Sequence, residues 1–258
     1  MYSRTIDGRA VLSRAEGSRA PASAADRWSR FGALSGVLLA VAWAPMGLVV
    51  GDLPELDSAA EIDTFFSESG DLLKVVIACV GVGFFCFLSF LAALAQHLHV
   101  AEGGGVLKWL ALTSALMFMT LFNAAVGLDA AAGLLHETST PEVTHALHTA
   151  AFVLAAPAAL VGVAFFVAVA AAAFDIGAFP RWLGWAGVLA AIANLLALGG
   201  IFSASGPLNS GNGALGGIVA PLFAWVVWIL LAAVWMLRST AQPAPPCPAS
   251  SRAPGRLP

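Results

Sequence analysis

The side chains best suited to chemistry in this sequence lie between positions 136 and 148. Proline is favoured at the first position of a helix, so we predict a helix that begins at Pro141 and places Glu142, His145 and His148 at i, i+3 and i+6. That spacing puts one carboxylate and two imidazoles along one helix face. Carboxylates and imidazoles bind Zn²⁺ and other divalent metals. The stretch is therefore a candidate metal site, with His136 as a further ligand from the facing helix end.

The same stretch has a second interpretation that needs no metal. Asp129 is an alternative to His136 as the ligand from the facing helix, but the pattern lacks the glutamate base of a His-Glu-x-x-His motif. A polar helix end at the lipid headgroups would carry the same residues, with Glu142 stabilised by the helix dipole. Both interpretations stay open from sequence. Beyond a divalent metal, no cofactor is predicted, and no catalytic residue is assigned.

A second group of polar side chains lies inside apolar runs. Thr113, Thr120 and Asn123 follow one another at helical spacing, and Asn194 lies in a later run. An unpaired amide in hydrocarbon is costly, so we expect these four side chains to face the inside of a helix bundle. There they would either hold helices together by hydrogen bonds or line a path for a small neutral solute. No Asp, Glu, Lys or Arg lies mid-run, which counts against ion-coupled transport.

The elements that position these residues are set by composition. Hydrophobic residues make up 59% of the chain and charged residues 10%, against about 25% charged in a typical soluble domain. Positions 182 to 237 contain no charged residue and no histidine, and turn residues at 203–213 divide this run into two. Each half is close to the ~20 residues that cross a membrane. The net charge of −3 offers no basic surface for nucleic acid.

The apolar runs predict an all-α, polytopic transmembrane bundle of six helices. A capping box at Ser58 and Glu61 predicts a further short helix before the second span. A basic arm at 1–30 and a Pro-rich tail at 238–258 lack apolar periodicity, and we predict both to be disordered. The six spans are predicted at about 31–50, 75–96, 109–128, 149–174, 182–202 and 217–237.

The basic residues predict the orientation of the bundle. Lys and Arg resist translocation, and only Lys74 of the 12 lies in a segment opposite the N-terminus. Both termini are therefore predicted to be cytoplasmic. A multi-pass protein of the bacterial plasma (inner) membrane is expected, with the lipid bilayer and either a membrane protein partner or a second copy of the chain as its contacts.

Three stretches of the sequence carry a family resemblance: Phe179-Pro-Arg-Trp-Leu-Gly-Trp185, Arg30-Phe-Gly-Ala-Leu-Ser-Gly36 and the region from Pro54 to Phe66. They resemble a set of uncharacterised six-span bacterial integral membrane proteins of high-GC Gram-positive type. The resemblance covers most of the chain between its tails. It implies a domain of unknown function, so it assigns no catalytic residue.

Three functions follow from these observations. The first is a non-enzymatic accessory or interaction protein in the membrane. The second is a channel or facilitator for a small neutral solute that uses Thr113, Thr120 and Asn123. The third is an outward-facing metal sensor or metalloenzyme that uses Glu142, His145 and His148.

Overall fold

The structure is a computed structural model that describes residues 24–50, 53–103, 105–213 and 219–239, and every regular element in these ranges is a helix. Positions 1–23 and 240–258, which hold most of the predicted arm and tail, lie outside the described residues. Residues 24–30, predicted as part of the arm, are helical. The helices are α1 (Ala24–Trp43), α2 (Met46–Val50), α3 (Ala59–Glu102), α4 (Val106–Leu135), α5 (Pro141–Phe174), α6 (Arg181–Leu196), a 3₁₀ helix (Ala197–Phe202) and α7 (Val219–Ser239).

Five of the described helices are long and apolar enough to cross a membrane. They are α3, α4, α5, α6 together with the 3₁₀ helix that continues it, and α7. Helix α1 differs because Asp26, Arg27 and Arg30 lie in its first two turns, within any stretch of it long enough to span. The chain is thus a multi-pass membrane protein by helix length and composition, and the sixth span remains a prediction.

Local sequence explains where the first helices begin and end. Helix α1 ends at Trp43 because Pro45 has no N–H to donate and disfavours a helical residue before it. The predicted cap at Ser58 is confirmed, since its hydroxyl accepts a hydrogen bond from the Glu61 N–H at 3.2 Å. Helix α3 ends at Gly103, whose φ of 70° is the left-handed conformation that glycine adopts without strain.

The prediction of a separate short helix before the second span is wrong. Helix α3 runs unbroken for 44 residues, or about 66 Å at 1.5 Å per residue. No proline interrupts it, and Ile62, Phe65 and Phe66 are buried in the same core as the rest of the helix. Because the hydrocarbon core of a bilayer is only about 30 Å thick, the first turns of α3 extend beyond the membrane.

Long helices that follow one another along the chain run antiparallel around a core of aromatic residues. The rings of Phe122, Phe118, Trp225 and Phe165 form a stack across the middle of the bundle, with successive centroids 5.6, 4.2 and 4.5 Å apart. Trp225 and Phe165 are completely buried. Stacked aromatic pairs add to the stability given by burial, so this stack ties α4, α5 and α7 together.

This arrangement gives the molecule two chemically distinct ends. What we call the basic end consists of the start of α1, the α3–α4 loop, the α5–α6 loop and the end of α7. The end of α3, the α5–α6 loop and the end of α7 meet at His97, whose Nε2 lies 2.7 Å from the Ala178 carbonyl oxygen and whose ring contacts Trp235. The described cations of the basic end are Arg27, Arg30, Lys108, Arg181 and Arg238.

What we call the acid end is the opposite end, formed by residues 53–71, the end of α4, the start of α5 and the loop at 203–213. The loop is organised by the buried Asn209, whose Oδ1 accepts from the Gly211 and Gly213 N–H groups. The single cation here among described residues is Lys74, paired with Asp71 at 2.9 Å. The described acids of this end are Glu55, Asp57, Glu61, Asp63, Glu68, Asp71, Asp129, Glu137 and Glu142.

Candidate functional site

The most distinctive polar contact of the acid end joins α4 to α5. His148 Nδ1 lies 2.6 Å from Asp129 Oδ1. The His148 side chain is completely buried, and that of Asp129 is 16% exposed. The pairing follows from the hairpin: residues 136–140 connect two antiparallel helices, and Asp129 and His148 are nearly equidistant from that loop. Turn length and helical rise therefore bring the two side chains to the same level.

The contact fixes the hydrogen-bonding state of the histidine. An ionised Asp129 can only accept, so the Nδ1–H of His148 donates, and in the neutral imidazole Nε2 is then an acceptor. This Nε2 is buried without a hydrogen-bond partner. The rings of Phe65, Phe66 and Phe152 surround the imidazole, with centroids 6.0, 5.4 and 4.7 Å away. Aromatic packing thus fixes the position of the His148 imidazole, and the hydrogen bond from His148 fixes the position of the Asp129 carboxylate.

A second histidine–carboxylate contact lies beside the first. His136 Nδ1 is 3.4 Å from Asp63 Oδ1, which links the end of α4 to the start of α3. The distance suits an ion pair when His136 is protonated, but the geometry does not make a hydrogen bond, and Nδ1 has no hydrogen-bond partner. Phe66 lies against both His136 and His148. We call the set Asp63, Asp129, His136 and His148 the His–Asp cluster.

The predicted metal ligands do not converge on one point. His145 Nε2 lies 2.8 Å from the Leu56 carbonyl oxygen, whereas His148 pairs with Asp129 and Glu142 is exposed. Six residues along a helix turn the side chain by about 120° away from its starting direction, so Glu142 faces outward while His148 faces the core. Within the part of the chain that the structure describes, no three His, Cys, Asp or Glu side chains are grouped to hold a metal ion. The start of α5 at Pro141 is confirmed. The metal site stays a prediction, and its proposed ligands do not point to a common position.

An apolar cavity adjoins the His–Asp cluster. Its volume is about 80 Å³, and it lies between α2, α3, α4 and α5. Among the described residues that line it, Asp129 is the only one with a charged side chain. No other hydrogen bond to the Asp129 carboxylate is found among the described residues. The lining residues are Met46, Val49, Leu53, Leu73, Val76, Ile77, Val80, Phe122, Ala125, Val126, Asp129, Ala151 and Phe152.

The prediction that the third span turns its polar residues inward is wrong for this chain. Thr113, Thr120 and Asn123 are exposed on the outer surface of α4. The threonine hydroxyls donate to their own helix, to the Trp109 carbonyl at 2.7 Å and the Leu116 carbonyl at 2.9 Å. Helix α4 instead buries the opposite stripe of small and aromatic residues, which packs more closely than a polar stripe can. The buried stripe is Ala111, Ser114, Ala115, Phe118, Met119, Phe122 and Ala125.

The corresponding prediction for Asn194 is confirmed. Its side chain is completely buried, its Nδ2 donates to the Ala190 carbonyl at 2.8 Å, and its Oδ1 accepts from the Trp225 indole at 3.3 Å. Gly162 of α5 leaves room for this contact, because a side chain there would meet Asn194 and Trp225. Asn194 therefore joins α6 to α7 by a hydrogen bond and lines no path.

Two partners in this site were not predicted from the sequence. Asp63 and the Leu56 carbonyl bind histidines that are far away along the chain, and no local pattern indicates such contacts. The sequence pattern indicates Asp129 only as an alternative metal ligand, although its distance from the α4–α5 turn is a signal for pairing with His148. Comparison of the chain with protein-family models, with curated proteins and with solved structures finds no match in any of the three.

Proposed function

We propose that this chain is a six-span protein of the bacterial plasma membrane with both termini in the cytoplasm, and that it acts as a non-enzymatic accessory protein that associates sideways with another membrane helix. The partner in this proposal is a second copy of the same chain. The observation that carries the proposal is the exposed polar face of α4, formed by Thr113, Thr120 and Asn123.

The separation of charge supports the proposed orientation. The cations of the basic end lie beside the exposed indoles of Trp28, Trp109, Trp182 and Trp185. Indoles favour the membrane–water interface, and Lys and Arg favour the cytoplasmic side of it. The basic end is thus suited to the cytoplasmic interface and the acid end to the opposite side.

The position of Asn123 supports association within the membrane. It lies 14 residues beyond Trp109, or about 21 Å along the helix, which is inside a hydrocarbon core about 30 Å thick. An amide exposed to lipid at that depth loses its hydrogen bonds to water. A partner helix that supplies a donor and an acceptor would restore them.

The chemistry of the amide favours a second copy as the partner. An asparagine side chain both donates and accepts, so two Asn123 side chains related by a two-fold axis satisfy each other. A two-fold interface uses the same surface on both copies. The threonine hydroxyls of the same face already donate to carbonyls of their own helix, so they need no partner from the second helix when it packs closely against α4.

The packed core supports association over conduction. At the level where Thr120 and Asn123 lie, the interior between α4, α5 and α7 is filled by the stack of Phe122, Phe118, Trp225 and Phe165. A solute path through one chain would need polar side chains there, and this level holds aromatic rings instead.

The test is self-association in liposomes, measured by single-molecule photobleaching of a C-terminal fluorescent fusion as the protein is diluted in lipid. We expect Asn123→Leu to raise the dimer dissociation constant about 3- to 30-fold, because a hydrogen bond between membrane helices contributes about 0.6–2 kcal/mol. The matched control is Val82→Leu, at an exposed position on α3, which should leave the constant unchanged.

Three results would contradict the proposal. If the wild-type protein stays monomeric at high protein density in the liposomes, a second copy of the chain is excluded as the partner. Glycerol flux abolished by Asn123→Leu would favour the solute facilitator. A stoichiometric metal lost in His145→Ala would favour the metal-binding alternative.

A further inference from the structure

The cavity beside Asp129 has an amphipathic design. Twelve of the thirteen described residues that line it carry apolar side chains, and Asp129 supplies a carboxylate. Protein pockets for small molecules commonly combine an apolar wall with one or a few polar groups that fix orientation. The cavity therefore suits a ligand with a hydrocarbon body and one polar group.

The carboxylate is held in place for such a ligand. Asp129 Oδ1 accepts from His148 at 2.6 Å, and the imidazole is enclosed by three phenylalanine rings. The second carboxylate oxygen of Asp129 has no protein hydrogen-bond partner among the described residues. An ionised group that borders an apolar cavity carries a desolvation cost, which a cationic ligand group would offset.

The surrounding charge selects the sign of the ligand. The acid end carries many carboxylates, and its one described cation, Lys74, is already paired with Asp71. A field of one sign concentrates ligands of the opposite sign and repels those of the same sign. A carboxylate or phosphate ligand is therefore disfavoured at this mouth, and a cation is favoured.

The lining also distinguishes an organic cation from a metal ion. Ca²⁺ takes six to eight oxygen ligands, and Mg²⁺ takes six, several of them water. The described part of the cavity wall offers one carboxylate and is otherwise apolar. An alkylammonium group needs only one charged partner for its N–H donors, and its hydrocarbon fills the remaining space.

The volume sets the size of the ligand. An apolar cavity of about 150 Å³ holds benzene, and this cavity measures about 80 Å³. The cavity is therefore too small for six carbons: about three carbons fit inside it, and the rest of a longer alkyl chain lies outside its mouth.

We infer that the cavity between α2, α3, α4 and α5 binds a small hydrophobic amine, whose ammonium group pairs with Asp129 and whose hydrocarbon chain lies against the apolar wall. This site is separate from the exposed face of α4, so it does not depend on self-association.

The experiment is equilibrium dialysis of labelled hexylamine against the full-length protein in nanodiscs, with empty nanodiscs to subtract partition into lipid. We expect saturable binding of one hexylamine per chain. Unlabelled hexylamine should compete, whereas hexan-1-ol and hexanoate at the same concentration should not.

Two variants and a control locate the site. Asp129→Asn should weaken hexylamine binding at least tenfold, because it removes the charge that pairs with the ammonium group. Ala125→Leu should also weaken it at least tenfold, because the larger side chain fills the cavity while Asp129 and His148 stay paired. Glu137→Gln, which removes an exposed carboxylate at the same end outside the cavity, should bind as wild type does.

Several outcomes would overturn the inference. Equal competition by hexan-1-ol would mean that the cavity takes hydrocarbon without regard to charge, as a lipid chain would. Equal weakening by Glu137→Gln would mean general attraction to the acid end. If Asp129→Asn fails to give a monodisperse folded protein, the Ala125→Leu variant and the competition by hexan-1-ol test the site in its place. Unchanged hexylamine binding in Ala125→Leu would then refute the site.

Discussion

The centre of the bundle and its acid end treat buried polar groups in opposite ways. At the centre, Asn194 is completely buried and both ends of its amide are hydrogen-bonded, to Ala190 and Trp225. At the acid end, His148 is equally buried, yet its Nε2 has no partner. The buried side-chain atoms without a partner, among the described residues, all lie at the acid end: His136 Nδ1, Thr144 Oγ1, His148 Nε2, Thr149 Oγ1 and Ser210 Oγ.

This difference separates a structural region from a candidate functional one. Buried polar groups are normally satisfied, and exceptions call for a physical explanation such as a bound ligand or water. The centre has the fully paired, tightly stacked arrangement that stabilises a bundle. The acid end combines unpaired groups with a cavity and excess negative charge, which is the arrangement of a binding site.

The largest predicted effect tests the centre. Trp225→Ala removes a buried indole from the ring stack and the partner of Asn194, so we expect it to destabilise the protein by about 3–5 kcal/mol. Thermal unfolding in detergent, followed by loss of monodispersity, measures the change. Trp182→Ala is the matched control, since this indole is 50% exposed at the basic end. An equal loss of stability in both variants would remove the distinction between the regions.

An intermediate effect tests the His–Asp cluster. Asp129→Leu leaves a buried Nδ1–H without an acceptor, so we expect a loss of about 1–3 kcal/mol. Replacing both partners by apolar residues is often nearly neutral, so Asp129→Leu combined with His148→Leu should recover most of that loss. Unfolding of the two single variants and the double variant in the same detergent measures the coupling. Additive losses would show that the two side chains do not act as a pair.

The smallest effect is expected at the second histidine contact. Asp63→Asn should change the free energy of unfolding by no more than about 1 kcal/mol, because exposed ion pairs contribute little. Asp63 is 47% exposed, and its 3.4 Å contact with His136 is not a hydrogen bond. A loss as large as that of Asp129→Leu would mean that the whole cluster acts as one unit.

Much of the helical layout was predictable from local sequence. The apolar runs, the cap at Ser58 and the start at Pro141 each depend on residues within a few positions. The predicted span at 31–50 is continuous, whereas the structure divides it into α1 and α2 at Pro45. The merging of the short helix into α3 was not predicted, because a capping box shows where a helix begins and not where it ends. The outward direction of Thr113, Thr120 and Asn123 does not follow from the cost of polar groups in lipid, because it depends on how the opposite Phe and Ala stripe packs against other helices.

The sequence by itself determined that this is a membrane protein with most of its cations at one end and most of its acids at the other, because hydrophobic length and charge placement act locally along the chain. Only the tertiary structure decided that His148 pairs with Asp129, that Asn194 pairs with Trp225, and that a cavity lies beside one pair and not the other. These contacts depend on the rotation and spacing of whole helices. Packing between helices sets both, and no single segment of the sequence contains that information.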